Sequence, residues 1–152
     1  MSDKQVYIHY GDYYFRNPQP IKNIEYFTKP KGGLWASRKN GELTWRDWCE
    51  VEKFRLDSLN ESFEFTLKDG ARILTLNDEE QLADLPVLFR ERYTNDFSSI
   101  YLDFEKLEEQ YDAIEVTNIS NLYWRLYGWD CNSILIMNPD IVEVISYEKG
   151  DI

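Results

Sequence analysis

Lys29-Pro30-Lys31-Gly32-Gly33-Leu34-Trp35-Ala36-Ser37 is the stretch from which the chain is best read, because a basic, Pro/Gly-rich loop runs directly into a short Leu-Trp-x-Ser strand. Two adjacent glycines let the backbone approach another group closely, and the strand then presents an aromatic face and a hydroxyl. The combination suits one wall of a nucleotide pocket, although Gly32-Gly33 is also compatible with a plain turn. Trp45, Trp48 and Cys49 follow a few residues later. Two further residues frame the stretch: the single histidine, His9, and Glu115 in the strand-like run Tyr111-Asp112-Ala113-Ile114-Glu115-Val116.

Working outward, Gln5–Tyr10 reads as a strand closed by Gly11-Asp12, which puts His9 near a strand end. Asn17-Pro18-Gln19-Pro20 keeps the chain extended before the glycines. Leu34–Ser37 is a second strand, and Thr44 caps a helix over Trp45–Phe54 with Asp47 in the capping-box position. Ser62–Leu67 alternates and is expected to turn at Asp69-Gly70 into Arg72–Leu76, forming a hairpin. Asn77 is expected to cap a helix from Asp78 to about Phe89, ended or kinked by Pro86. A further acidic helix, Phe104–Tyr111, precedes strands Asp112–Thr117, Cys131–Met137 and Ile141–Ser146, the last two separated by Asn138-Pro139-Asp140. About seven strands and three helices in mixed order predict an α+β domain around a split, mainly antiparallel sheet spanning residues 1–152.

Of the 152 residues 43% are hydrophobic and 16% aromatic, enough for a packed core rather than a disordered chain. The first ten residues hold no apolar signal-peptide region, and no apolar run nears the roughly 18 residues that span a bilayer, so a soluble, cytoplasmic protein without a membrane partner is expected. Two cysteines, Cys49 and Cys131, lack metal-ligand spacing and read as reduced buried thiols rather than a bridge, and a metal site is not expected. Net charge is −11, yet residues 1–41 carry seven basic and three acidic side chains, leaving −15 for the remainder. A small anion such as a diphosphate is drawn to the basic segment, whereas long nucleic acid is repelled by the rest.

The order of His9 near the end of the first strand, Gly33-Leu34-Trp35-Ala36-Ser37 on the second, an aromatic-bearing helix after it and Glu115 on a late strand resembles the ADP-ribosyltransferase superfamily. Within that superfamily it is similar to the diphtheria-toxin-like and poly-ADP-ribose-polymerase-like branch, and Lys-Pro-Lys-Gly-Gly-Leu-Trp with Trp-x-x-Trp-Cys resembles small bacterial and bacteriophage proteins of that type. The resemblance spans roughly residues 6–137 and implies an enzyme that takes NAD as substrate and modifies a macromolecular target, as a toxin or a phage-encoded modifier of host machinery. It implies that His9 holds the adenosine-side ribose, that the backbone at Tyr10 and Gly11 grips the nicotinamide amide, and that Trp35 or Trp45 stacks on the nicotinamide. Gly33 belongs to the same wall, Ser37 bonds a ribose or orients the glutamate, and Glu115 holds the nicotinamide-ribose 2′-hydroxyl. A fixed carboxylate there stabilises the oxocarbenium-like state of glycosidic cleavage. Ala113, two positions before Glu115, disfavours arginine as acceptor.

Each of these residues also has an ordinary structural reading. His9 suits a hydrogen-bonded strand histidine, most of the five tryptophans suit a core, and Glu115 suits the outward face of an alternating strand. Two other functions are open: an acidic, non-enzymatic inhibitor that mimics nucleic acid on a basic partner, and an NAD hydrolase or phosphotransferase on the same fold.

Overall fold

A seven-stranded sheet organises the chain, in a computed structural model that describes residues 4–11, 19–25, 27–54, 56–88, 99–122, 124–126 and 129–149. In chain order its strands are β1 (Tyr7–Tyr10), β2 (Leu34–Arg38), β3 (Glu61–Leu67), β4 (Ile73–Leu76), β7 (Ala113–Val116), β8 (Ser133–Ile136) and β9 (Val142–Lys149). The remaining two, β5 (Val87–Leu88) and β6 (Tyr101–Leu102), form a separate small hairpin. The large sheet runs β4-β7-β8-β2-β1-β3-β9. All its neighbours are antiparallel except β4 and β7, whose parallel pairing follows a crossover that contains the hairpin and the helix α2 (Phe104–Gln110). The other helix is α1 (Trp45–Glu52). The result is α+β with two helices among the described residues, where three were expected. Asp12, Asn17, Pro18 and Phe89, to which the sequence reading also assigned turns or a helix end, lie outside the described residues.

The sheet is curled, and the chain's connections require it. In a flat sheet β3 and β4 would stand five strand spacings apart, about 24 Å. Leu67 and Ile73 are joined by a short link that spans at most about 20 Å fully extended, and the hydrogen bond from Ala71 N–H to the Lys68 carbonyl shortens its reach further. Between the two curled halves lies one core, in which Tyr7, Phe63 and Phe65 meet Leu34, Ala36, Ala113, Ile134 and Ile136. The opposite faces of β7 and β8 carry Ile114, Val116 and Leu135 into a second core with Phe104, Leu107, Leu122, Leu126 and Trp129. Both faces of β7 and β8 are therefore covered, and all eight of their residues are buried. The halves meet in the ladder at only two pairs, Tyr7↔Arg38 and Ile8↔Ser37.

Two local expectations are corrected. Ser62–Leu67 and Arg72–Leu76 do not form a hairpin: β3 pairs with β1 and β9, and β4 pairs with β7 at the far edge. The Asp69-Gly70 turn is real, but Phe63 and Phe65 belong to the core between the halves, and that burial outweighs local pairing. The helix expected from Asp78 is a single 3₁₀ turn, Glu79–Leu82, capped by Asp78 rather than Asn77. Only Leu82 in this turn is buried, and Pro86 then steers the chain into β5. The helix α1 begins with the expected Thr44–Asp47 capping box but ends at Glu52, short of Phe54, where Lys53 takes the left-handed conformation.

Asp112 fastens the start of β7. Its carboxylate accepts hydrogen bonds from the Arg72 backbone N–H (2.9 Å), the Arg72 guanidinium (3.2 Å) and the Asn138 amide (3.1 Å). Burial alone would push this carboxyl up, and the bonds from Arg72 and Asn138 more than reverse it, so its pKa lies below the ordinary value of 3.8. A depressed folded-state pKa adds stability that is complete above the unfolded pKa and is lost as pH falls through the folded one. Asp112→Asn should therefore cost about 1–3 kcal/mol at neutral pH, and the gap to the parent protein in urea melts should narrow as pH drops below about 4.

Candidate functional site

Beyond Ile8↔Ser37 the strands β1 and β2 no longer pair, and a cavity of about 260 Å³ opens at the split. Its walls include His9 and Tyr10 from β1, Trp35 and Ala36 from β2, Trp45 from α1, and Lys29, Asp130 and Cys131 from the loops. The His9 ring occupies the place where a ladder bond would be. Its Nδ1 lies 2.6 Å from the Trp35 carbonyl oxygen, so Nδ1 carries the proton and donates, and in the neutral ring Nε2 bears the lone pair. Phe63 supports the imidazole from behind, with ring centroids 5.2 Å apart.

The aromatic walls are held as firmly. Trp35 meets Trp129 edge-on at 4.8 Å, and Trp45 stacks on Trp48 at 5.2 Å. The Lys29 ammonium lies 5.3 Å from the Trp35 ring centroid and 3.9 Å from the Asp130 carboxylate. The cavity is therefore lined by two indoles, an imidazole and one cation–carboxylate pair. Sequence reasoning gathered His9, Tyr10, Trp35 and Trp45 into this site and missed Asp130. The available signal was the polar residue in Trp129-Asp130-Cys131, set between two residues that the fold buries.

The other expected site residues lie elsewhere. Gly33 has φ +76°, and a Cβ there would come within 2.6 Å of Leu135 Cδ1, so the close approach its glycine permits is to the protein's own core. Gly32 is likewise packed against the carbonyls of Gln19 and Pro20. Gly11, at φ +124°, sits beside the His9 ring, where a Cβ would come within 3.5 Å of Nε2, and its N–H is already donated to the Glu61 carbonyl.

Ser37 is buried, and its hydroxyl donates to the Asn132 carbonyl (3.2 Å) while accepting the Trp45 N–H (3.1 Å). It thus satisfies an otherwise orphaned donor in the first turn of α1 and pins that turn to the start of β8. This pin belongs to a wall, and Glu115 is on its other side. The Glu115 carboxylate opens on a second, larger cleft of about 770 Å³, and Ser133 lines both. There it accepts Arg38 Nε at 2.7 Å, Arg38 Nη2 at 3.1 Å and the Tyr7 hydroxyl at 3.1 Å. Arg38 and Tyr7 were not anticipated as its partners, although two-residue strand alternation puts Arg38 on the face of Ala36 and Tyr7 on that of His9.

Among the described residues, no group of three or more His, Cys, Asp or Glu side chains is placed to hold a metal ion, and no helix is long and apolar enough to cross a membrane. Both cysteines are buried free thiols. Burial pushes the Cys131 thiol up to about 12, against an opposing pull from Lys29. Although it lines the cavity, Cys131 should react with iodoacetamide at pH 7.5 on the order of 10³-fold more slowly than an ordinary cysteine, and should label readily only after unfolding. Peptide mapping by mass spectrometry reads this directly.

No family model, curated protein or solved structure matches this chain, so its functional reading rests on the geometry of these two cavities.

Proposed function

We propose that the cavity at the β1–β2 split binds the base-and-ribose half of a nucleotide, and that the protein uses NAD as substrate to ADP-ribosylate a macromolecular target. The carrying observation is the convergence of His9, Tyr10, Trp35 and Trp45, from three separate elements, on one cavity. Indole faces stack on a flat heterocycle and Lys29 attracts an anionic group. At about 260 Å³ the cavity falls just below the roughly 300–1,000 Å³ of ordinary ligand sites. It thus has room for one ring with its sugar, and the rest of a dinucleotide lies outside it.

This placement reassigns the carboxylate. Stabilising an oxocarbenium-like ribose needs negative charge facing the sugar. Glu115 is beyond the wall, with its charge matched by Arg38, whereas Asp130 lines the cavity itself. In the proposed reaction the C–N bond to nicotinamide breaks with its electron pair leaving on nicotinamide. The acceptor's nucleophile bonds to the ribose carbon and gives up its proton.

Calorimetric titration with NAD and with nicotinamide mononucleotide tests the binding, and release of nicotinamide in the presence of candidate targets tests the reaction. His9→Ala and Trp45→Ala should each weaken binding by about tenfold or more, which is roughly 1.4 kcal/mol of lost contact. Asp130→Asn should leave binding near that of the parent protein and lower nicotinamide release by about 10²–10³. Absence of binding at millimolar NAD, or binding indifferent to both His9→Ala and Trp45→Ala, overturns the assignment.

A further inference from the structure

Two of the groups that wall the cavity at the split come from different segments, Trp45 from α1 and Asp130 from the loop before β8. Their relative placement is set where those segments are fastened together, and that place is Asn132. We propose, on the nucleotide-binding reading of this cavity, that Asn132 is the positioning residue of the site: it sets Asp130 against the ring that Trp45 stacks on, and governs turnover more than affinity.

Every polar group of Asn132 is engaged. Its backbone N–H donates to the Leu43 carbonyl (2.7 Å) and its Nδ2 to the Glu42 carbonyl (2.9 Å), which holds the two residues leading into the Thr44 cap of α1. Its Oδ1 accepts the Ile119 N–H (2.7 Å) from the 3₁₀ turn Ile119–Leu122 after β7, and its carbonyl accepts the Ser37 hydroxyl of β2 (3.2 Å). The side-chain amide fits only this way round, because exchanging its oxygen and nitrogen would set donor against donor and acceptor against acceptor. Leu43 stands at φ +50°, a conformation that leucine rarely adopts. The carbonyls on both sides of its Cα are the two that accept from Asn132, so the turn into Trp45 is held against that strain by this one residue.

The other end of the loop is fastened independently. The Trp129 indole N–H donates to the Thr28 carbonyl (2.8 Å), and its ring meets Trp35 edge-on. Asp130 directly follows Trp129 and precedes Asn132 by two residues, so the carboxylate is carried on a short span pinned at both ends. His9 and Trp35 are placed by β1 and β2, and their contacts with Phe63 and Trp129 do not pass through the Asn132 side chain. Loosening Asn132 thus leaves most of the stacking and imidazole contacts while shifting Asp130 relative to α1. A displacement of about 1 Å costs on the order of 10²-fold in rate where a charge must face a reacting atom, and a stacked ring tolerates it far better.

Asn132→Asp tests this, since it keeps an oxygen for the Ile119 N–H and turns a second oxygen toward the Glu42 carbonyl. Asn132→Ala, which removes the Glu42 bond without adding charge, is judged by the same readouts. Asp112→Asn weakens the fold at the other end of β8, where the Asp112 carbonyl accepts the Met137 N–H, and is the control for lost stability alone. All are compared at a temperature where each is folded. In both Asn132 variants iodoacetamide should alkylate Cys131 about tenfold faster than in the parent protein. Nicotinamide release should fall about tenfold in kcat, with KM for NAD changed by less than about threefold. Asp112→Asn should change neither readout. If the parent protein releases no nicotinamide, the nucleotide reading fails by itself, and Cys131 labelling alone decides the positioning role. That role is overturned if Cys131 labels no faster in the Asn132 variants than in Asp112→Asn, if an active parent protein and its Asn132 variants share one kcat, or if the loss lies in KM rather than kcat.

Discussion

A carboxylate buried within a sheet must find its counter-charge inside the sheet, and in this protein that requirement holds the two halves together. Glu115 on β7 reaches past β8 to Arg38 on β2 and Tyr7 on β1. Those two partners form one of the only two residue pairs that join the halves of the ladder. Burial first, and then the adjacent carboxylate charge, raise the Tyr7 hydroxyl well above its ordinary pKa, so it stays protonated and donates. Removing Arg38 would leave the buried Glu115 carboxylate without its counter-charge, a far larger cost than the net worth of the pair, whereas removing the Tyr7 hydroxyl would cost one hydrogen bond to it. Because the junction is short and fastened from one side, the strands are free to part immediately beyond it, and both cavities open around that point.

The strands were legible from sequence where side chains alternate, and pairing partners were not. Phe63 and Phe65 fix the face of β3, but alternation says nothing about which strand lies alongside. The Asp69-Gly70 turn suggested a hairpin because turn chemistry is local, whereas the choice between β4 and β9 as a neighbour is made by a core that closes from distant segments. The same contrast explains the turn at Glu79–Leu82. Acidic residues after Asp78 favour a helical start, but without an apolar stripe to bury, the turn has nothing to propagate along.

For the site, residue identity was informative and residue purpose less so. His9, Tyr10, Trp35 and Trp45 share a cavity because aromatic side chains at a strand end and on the adjoining helix line the place where two strands separate. Ser37 looked like a ligand contact, yet it serves the first turn of α1, whose Trp45 N–H has no partner within the helix. Thr44 already supplied a cap visible in the sequence, and one cap satisfies only some of the orphaned donors. Gly33 shows the same substitution of purpose: its close approach is to Leu135. Arg38 and Asp130 gave no motif, because a counter-ion and a pocket wall are defined by what the fold brings near them.

The basic surplus of residues 1–41 resolves, in three dimensions, into separate positions rather than one patch. Lys29 stands at the split, while Lys4, Arg38 and Lys39 stand in the cleft across the wall. Net charge of −11 would repel an anion at long range, but at physiological ionic strength that repulsion is screened beyond about 8 Å. Close to these groups the nearest charges decide, and each cation there already has a carboxylate partner, Arg38 with Glu115, Lys39 with Glu64 and Lys4 with Asp69, so the basic surplus is spent in ion pairs that tie the start of the chain and the end of β2 to β7, to β3 and to the turn after β3. The acidic exterior is left without such compensation, and a long polyanion lying against it would meet that charge along its length.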